Sequence, residues 1–412
     1  MRDAVAGGSS LAMEARRLAR LSAHLNPSSR SASPGACAST VSSLSSSSRQ
    51  LGARSGITST ALGLGGVCWG EDDAAWMENV HASIQQLGIT YYDTAPAYGN
   101  GLSEHRMGMA LRSYPRDSFV LSTKVGYYLR PDTTGTSAGA KGNSAMATPM
   151  PFLMDFDYGY HAIIRQYEDS LQRLGAARVD CLVIHGVDYS ATTVEGVDAH
   201  LDALEAGGIR ALMELRDAGK IGAVGLGVNE ECPVIREHGG GSAEDAAAWN
   251  YRFVERVTAM GGGLAIDFLL LAGIHTLLNQ TAHSSGILQL CLDRGVGVVM
   301  GGPLNSGILT DDAASRDFEG VTYSYKPAPP DMIEKARQLA SLAAEFNVSL
   351  TAAALQFPLG FAAMSVVIPG GASPAEVAEN KAAMDEEIPQ AFWEALRSEE
   401  RGGLLPPGCP CP

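Results

Sequence analysis

No apolar run in the 412 residues approaches the ~18 to 20 needed to span a bilayer, so no transmembrane segment is expected. Basic residues are in deficit, 30 against 45 acidic, and the formal net charge of −15 argues against nucleic acid or an anionic membrane as the main partner. Cysteine has no framework. Cys37, Cys68, Cys181, Cys232, Cys291, Cys409 and Cys411 show no Cys-x-x-Cys spacing, which reads as reduced thiols in a reducing compartment. The pair Cys409 and Cys411 reads as part of a disordered tail rather than a metal or redox site, and no metal is expected. A Rossmann fingerprint is also missing. No strand candidate is followed by Gly-x-Gly-x-x-Gly, and Gly63-Leu64-Gly65-Gly66 is too short to be one.

What is present begins with a compositional break. Residues 1–56 hold seven arginines, no lysine and only Asp3 and Glu14 as acids, with serine crowding from 28 to 48. An Arg-rich, Ser-rich, acid-poor segment able to form a short amphipathic helix over 11–21 is the composition of an organellar transit peptide; a disordered extension or a misplaced start is the alternative. The segment 1–56 is therefore set apart from the fold, as is a Pro/Cys tail over 401–412.

Between them, over 57–400, short apolar runs alternate with amphipathic stretches. Strands are expected at 61–69, 89–92, 119–124, 179–185, 223–228, 266–271, 297–300 and 365–368. Helices are expected at 73–87, 103–114, 158–174, 201–218, 243–260, 285–294, 330–346 and 374–385, with a closing helix at 389–397. Strands nearly continuous in Val, Ile and Leu imply a parallel sheet covered by helices, and eight repeats close into a single-domain (β/α)₈ TIM barrel of the α/β class. Two insertions, 132–150 and a short polar 189–199, follow strands and so fall on the face where a barrel carries its chemistry.

Three successive strands end on polar side chains. Asp93 follows the second, Lys124 ends the third and His185 the fourth, while Tyr98 stands on the turn Thr94-Ala95-Pro96-Ala97-Tyr98-Gly99. A lysine at the end of a buried run demands a carboxylate, and Asp93 on the neighbouring strand is placed to supply it. A phenol ionises near pH 10, and an ammonium beside it favours the phenolate. The quartet therefore reads as a proton-transfer site for an alcohol–carbonyl pair, with His185 orienting the substrate oxygen; none of the four accepts a hydride, so a cofactor must. The loop Ile368-Pro369-Gly370-Gly371-Ala372-Ser373-Pro374 opens the last barrel helix, where backbone amides favour phosphate.

These motifs, with Ser103-Glu104, Ser122-Thr123-Lys124, Ile184-His185 and Glu379-Asn380, resemble the aldo-keto reductase superfamily from about Thr60 to Arg397. The runs Leu271-Ala272-Gly273-Ile274-His275 and Asn305-Ser306-Gly307 look like the branch of D-threo-aldose, L-fucose and L-galactose dehydrogenases, with pyridoxal dehydrogenase nearby. The resemblance implies NAD(P)-linked oxidation of the anomeric hydroxyl of a free sugar to an aldonolactone. It makes Tyr98 the general acid/base, Lys124 its modulator, Asp93 the partner of Lys124 and His185 the orienter. By the same match Asn229 holds the nicotinamide carboxamide, and Glu379 and Asn380 face the adenine. The aromatic residue that stacks on the nicotinamide in many members is replaced by Gly301-Gly302-Pro303-Leu304.

NADP-preferring members commonly carry Lys and Arg where this chain has Gly370, Gly371 and Glu376, so NAD is expected, with NADP as the alternative. The expected partners are a sugar or another small alcohol or aldehyde, with no nucleic acid and no membrane, for a monomer or dimer. Localisation is cytoplasmic, or chloroplast or mitochondrial if the leading segment targets an organelle. An NADPH-dependent aldehyde or ketone reductase and a non-catalytic NAD(P)-binding regulatory subunit are the competing readings.

Overall fold

A computed structural model describes residues 43–67, 70–139, 147–230, 232–399 and 403–412. Eight strands build the central sheet: β3 (Gly63–Gly65), β4 (Tyr91–Asp93), β5 (Val120–Val125), β8 (Cys181–Ile184), β9 (Ala223–Asn229), β10 (Phe268–Ala272), β11 (Gly297–Gly301) and β14 (Met364–Ile368). They neighbour one another in chain order, and every pairing among them is parallel. The first and last strands meet through a parallel bridge between Leu62 and Val367, with the Val367 amide donating to the Ala61 carbonyl at 2.8 Å. The sheet is thereby closed, as the expected eight repeats require.

Side chains alternate between two cores. Tyr91, Val120, Cys181, Val183, Phe268, Leu270, Val299, Val366 and Ile368 face inward and fill the barrel. A larger core lies between the sheet and the helices around it. Helix placement can require glycine: a Cβ on Gly108, in the helix Leu102–Leu111, would lie 2.0 Å from the Leu174 carbonyl of the helix Tyr160–Leu174. Several helix starts are fixed by side-chain caps, among them Asp72, Ser242 and Ser373.

Five features differ from the sequence expectation. The antiparallel hairpin of β1 (Ser48–Gln50) and β2 (Thr58–Thr60) lies within or beside the segment set apart as 1–56, yet it is part of the fold. Its Leu51 is fully buried in the inward-facing core and stoppers the barrel at the N-terminal ends of the strands. Gly52 makes this approach feasible: its φ is +73° and a Cβ would lie 2.2 Å from the Asp267 carbonyl. The helix expected at 11–21 lies outside the described residues.

The second insertion is not a loop throughout. Residues from Val194 onward form the helix Val194–Ala203, capped by the Thr193 side chain. The first insertion is carried by a hairpin of β6 (Tyr127–Pro131) and β7 (Phe152–Phe156) standing on the rim, with residues 140–146 outside the described residues. At the other end of the chain, Leu405 and Cys409 are buried against Phe392, Trp393 and Leu396, so this part of the tail packs rather than trailing. A further small hairpin, β12 (Thr322–Tyr323) with β13 (Lys326–Pro327), lies in the connection after β11.

Cys181, Cys232, Cys291 and Cys409 are buried free thiols, and Cys411 is a half-buried one; Cys37 and Cys68 lie outside the described residues. Among the described residues no helix is long and apolar enough to cross a membrane.

Candidate active site

Parallel pairing puts the polar strand ends on one rim. Asp93 closes β4, and in register its neighbour is Ser122; Lys124, two residues on, rises above it and pairs with Val183. The Lys124 Nζ donates to Asp93 Oδ2 at 2.5 Å and to the Thr94 carbonyl at 2.8 Å, while Ser122 Oγ donates to Asp93 Oδ1 at 2.8 Å. Both ionic side chains are essentially inaccessible. Burial lowers the pKa of Lys124, and the charge and hydrogen bond of Asp93 oppose that shift.

Tyr98 stands on the turn that follows β4. The Lys124 Nζ lies 4.6 Å from the centroid of its ring, and the His185 ring meets it edge-on with centroids 6.3 Å apart. Asp93, Tyr98, Lys124 and His185 are thus brought into one cluster.

His185 follows β8 and is buried. Its amide donates to the Val125 carbonyl at 2.8 Å, and its own carbonyl accepts from Tyr158 Oη at 2.8 Å, which fixes the backbone. Burial, reinforced by the positive charge of Lys124, holds the imidazole pKa well below the usual histidine value. At neutral pH the ring is uncharged and can donate from only one nitrogen.

Deeper support comes from Glu104, which is fully buried. Its Oε1 accepts from Thr123 Oγ1 at 2.7 Å and its Oε2 from Arg173 Nε at 2.6 Å, tying β5 to two covering helices. The motif around Ser103-Glu104 pointed to this residue without assigning it a role.

The remaining expected residues occupy the same rim farther round. Asn229 ends β9, where its Nδ2 donates to Asp188 Oδ1 at 2.8 Å and its carbonyl accepts from Asn250 Nδ2 at 3.1 Å. One Nδ2 hydrogen is engaged by Asp188, which leaves the second N–H and Oδ1 to a ligand. Beyond β14, the Gly370 carbonyl accepts from Asn380 Nδ2 at 3.0 Å and the Gly371 carbonyl from Asn79 Nδ2 at 3.2 Å. A Cβ on Gly371 would lie 2.6 Å from Val377, so the turn folds tightly onto the helix Pro374–Met384. Ser373 caps that helix by accepting from the Glu376 amide at 3.2 Å. Glu376 Oε2 in turn accepts from the Ala372 amide at 2.9 Å, which places a carboxylate across the helix N-terminus. Glu379 is half-buried on the same helix.

A helix N-terminus beside the glycine pair Gly370-Gly371 and the half-buried amide of Asn229 on β9 suit the phosphates and carboxamide of a dinucleotide. The carboxylate of Glu376 does not suit an additional phosphate there.

Two residues near the site carried no sequence signal strong enough to single them out. Tyr127 Oη lies 2.7 Å from His185 Nδ1, and Asp188 is a buried carboxyl whose pKa burial raises to about 6. Asp188 stands one turn after His185, a spacing that could have marked it; Tyr127 is one of two adjacent tyrosines beyond strand three, and nothing in the pattern distinguishes it.

A model of the aldo/keto reductase family matches residues 61–400. The chain is 36% identical over 364 residues to a pyridoxal 4-dehydrogenase of Microbacterium luteolum, covering 86% of this chain and 97% of that one. It is 31% identical over 357 residues to a D-threo-aldose 1-dehydrogenase of a Pseudomonas species, covering 85% and 97%. Among solved structures, the holo form of an aldo-keto reductase from Bacillus halodurans superposes with a TM-score of 0.57 at 23% identity, over 87% of this chain and 94% of that one. That last likeness speaks for the fold.

Proposed function

The chain belongs to the aldo/keto reductase family and is an oxidoreductase, and on that premise we propose that it oxidises the anomeric hydroxyl of a free aldose to an aldonolactone with NAD. The observation that carries this reading is the convergence of Tyr98, Lys124 and His185 at one rim, with Asp93 beneath Lys124.

When bound, the nicotinamide cofactor supplies the acceptor for the hydride. Tyr98 takes the proton of the hydroxyl as the carbon–hydrogen bond breaks, and returns it in the reverse direction. Lys124 holds a positive charge beside the phenol and so favours the phenolate. Asp93 keeps that charge in place against burial. His185, being neutral, donates a hydrogen bond to the substrate oxygen rather than a full charge. Asn229, Gly370, Gly371, Ser373, Glu379 and Asn380 are the residues that would hold the cofactor. Glu376 supports NAD over NADP, because a carboxylate on the Ala372 amide repels a phosphate dianion.

Pyridoxal is the second reading for the substrate. It is favoured by the 36% identity to the pyridoxal enzyme and by an aromatic wall in which Phe156 packs edge-on against Tyr127 and Tyr189 at 5.5 and 5.7 Å. Its half-buried members, Phe156 and Tyr189, stack on a planar ring as readily as on the apolar face of a sugar. Targeting by the Arg- and Ser-rich leader belongs to the same proposal. A cleaved leader would have to end before the hairpin at 48–60.

The test is a panel of free aldoses and pyridoxal with NAD and with NADP, following reduced-cofactor absorbance. Turnover of at least one aldose with NAD is expected, and a Tyr98→Phe variant should lose about 10³-fold in kcat while retaining cofactor binding. Oxidation of pyridoxal alone would move the assignment to the second reading. Undiminished turnover in Tyr98→Phe would overturn the proton-transfer role.

A further inference from the structure

We propose that Tyr127 is a positioning residue that fixes the tautomer of His185, placing the ring proton on Nε2. The inference rests on the reading of His185 as the group that orients the substrate oxygen. Its geometric basis is one buried phenol oxygen that serves two partners.

Tyr127 Oη lies 2.7 Å from His185 Nδ1, and the same oxygen accepts from the Ala97 amide at 3.2 Å. Only two proton arrangements are available to the pair. In the first, Tyr127 donates its O–H to Nδ1 and accepts from Ala97, and every group is satisfied. In the second, Nδ1–H donates to Oη, which then accepts twice, and the phenolic hydrogen has no acceptor among the described residues. Tyr127 is 1% exposed, which keeps bulk solvent from serving as that acceptor. A buried donor without a partner is disfavoured over one that is paired. Burial also pushes the Tyr127 phenol well above its ordinary pKa, so the proton at issue is present.

With Nδ1 as acceptor, a neutral imidazole carries its hydrogen on the other nitrogen. Nε2 makes no hydrogen bond among the described residues and therefore presents an unengaged N–H to a ligand oxygen. The opposite tautomer would present a lone pair and could not donate.

The local chain is built to hold this phenol. Gly126 has a φ of +133°, and a Cβ there would lie 2.6 Å from both the His185 carbonyl and the Tyr158 ring. Its amide is held by Gln166 Oε1 at 2.8 Å. That turn brings Tyr127 back over the strand end, where its ring packs edge-on against Phe156. Because Ala97 precedes Tyr98, one hydroxyl also ties the Tyr98 turn to the His185 ring.

The experiment uses the full chain labelled with ¹⁵N-histidine, without substrate. Long-range ¹H–¹⁵N correlation reads the tautomer of each ring, and the His185 signals are identified by their absence in a His185→Asn variant. The expected result in the unmodified protein is a pyridine-type Nδ1 and a pyrrole-type Nε2. Tyr127→Phe, which keeps the ring and removes the donor, should give shifts averaged between tautomers. It should also lower kcat about tenfold with the KM for cofactor unchanged. A pyrrole-type Nδ1 in the unmodified protein overturns the inference, as does a fixed Nε2–H form in Tyr127→Phe. The expected spectra in a protein that oxidises no member of the substrate panel would sink the proposed activity and leave the tautomer assignment standing.

Discussion

Replacing Asp93 with asparagine leaves Lys124 in place but removes the only carboxylate within hydrogen-bonding reach of it among the described residues. The Thr94 carbonyl would still accept from Nζ, so the amine keeps a partner and loses its counter-charge. We expect Asp93→Asn to lower kcat about 10- to 100-fold without abolishing it, since Asp93 acts through Lys124 rather than on substrate. The fold should lose about 3 to 5 kcal/mol, the cost of an uncompensated buried charge. Denaturant unfolding and steady-state kinetics on one preparation check both; unchanged stability would mean that the ion pair is not what holds the ammonium. Leaving one partner of a buried pair unmatched differs from removing a surface salt bridge, and the exposed pair of Arg316 with Asp312 illustrates the weaker kind.

At the scale of the element, the helix Pro374–Met384 combines two functions at its N-terminus. Ser373 satisfies the Glu376 amide, and Glu376 reaches back to the Ala372 amide, so the first turn is held largely by its own side chains. Arginine at 376 would replace a carboxylate that repels phosphate with a guanidinium that pairs with it. In Glu376→Arg, the ratio of kcat/KM for NADP to that for NAD is expected to rise at least tenfold. An unaltered ratio would show that the selectivity resides elsewhere on the rim. The hairpin of β6 and β7 is a second functional element, because it supplies both Tyr127 and the aromatic wall formed with Phe156.

The whole molecule depends on closing the barrel at its lower end and on keeping its buried histidines uncharged. Leu51 is fully buried among inward-facing side chains, so Leu51→Ala should destabilise the protein by about 2 to 5 kcal/mol while leaving the rim chemistry intact. A loss near zero on chemical denaturation would place the hairpin outside the cooperative unit. Buried histidines contribute to acid sensitivity. His275 packs its ring against Phe357 at 4.9 Å, both its ring nitrogens lack hydrogen-bond partners among the described residues, and burial pushes its pKa down to about 3. An unfolded histidine takes up its proton near pH 6.5, so the unfolded state binds more protons between about pH 6.5 and 3. The stabilising contribution is therefore complete above pH 6.5 and is lost as pH falls, by about 2 kcal/mol at pH 5 for this one group. His275→Leu should narrow the difference in unfolding free energy between pH 7 and pH 5 by about that amount. His185 and His200, whose pKa values are lowered too, would retain part of the dependence. An undiminished pH difference in the variant would exclude His275 as a contributor.

The sequence by itself determined the barrel. Eight apolar runs alternating with amphipathic stretches admit few other arrangements, and the polar residues that end three consecutive runs must share a rim once the strands are parallel and adjacent. For that reason Asp93, Lys124 and His185 were legible from strand ends alone. Tertiary structure decided what periodicity does not encode. That residues 43–56 belong to the fold follows from Leu51 finding the open end of a barrel built by distant strands, a contact with no local signal. Leu405 and Cys409 are held in the same way, by packing against a helix rather than by propensity. The partner of His185 was equally hidden, because Tyr127 and His185 are 58 residues apart and meet only where a glycine with positive φ turns the chain back over the rim. Pattern fixes which side chains reach the rim, since strand period and parallel pairing are local rules; which hydrogen bonds set their protonation is a property of atoms brought together by the closed sheet.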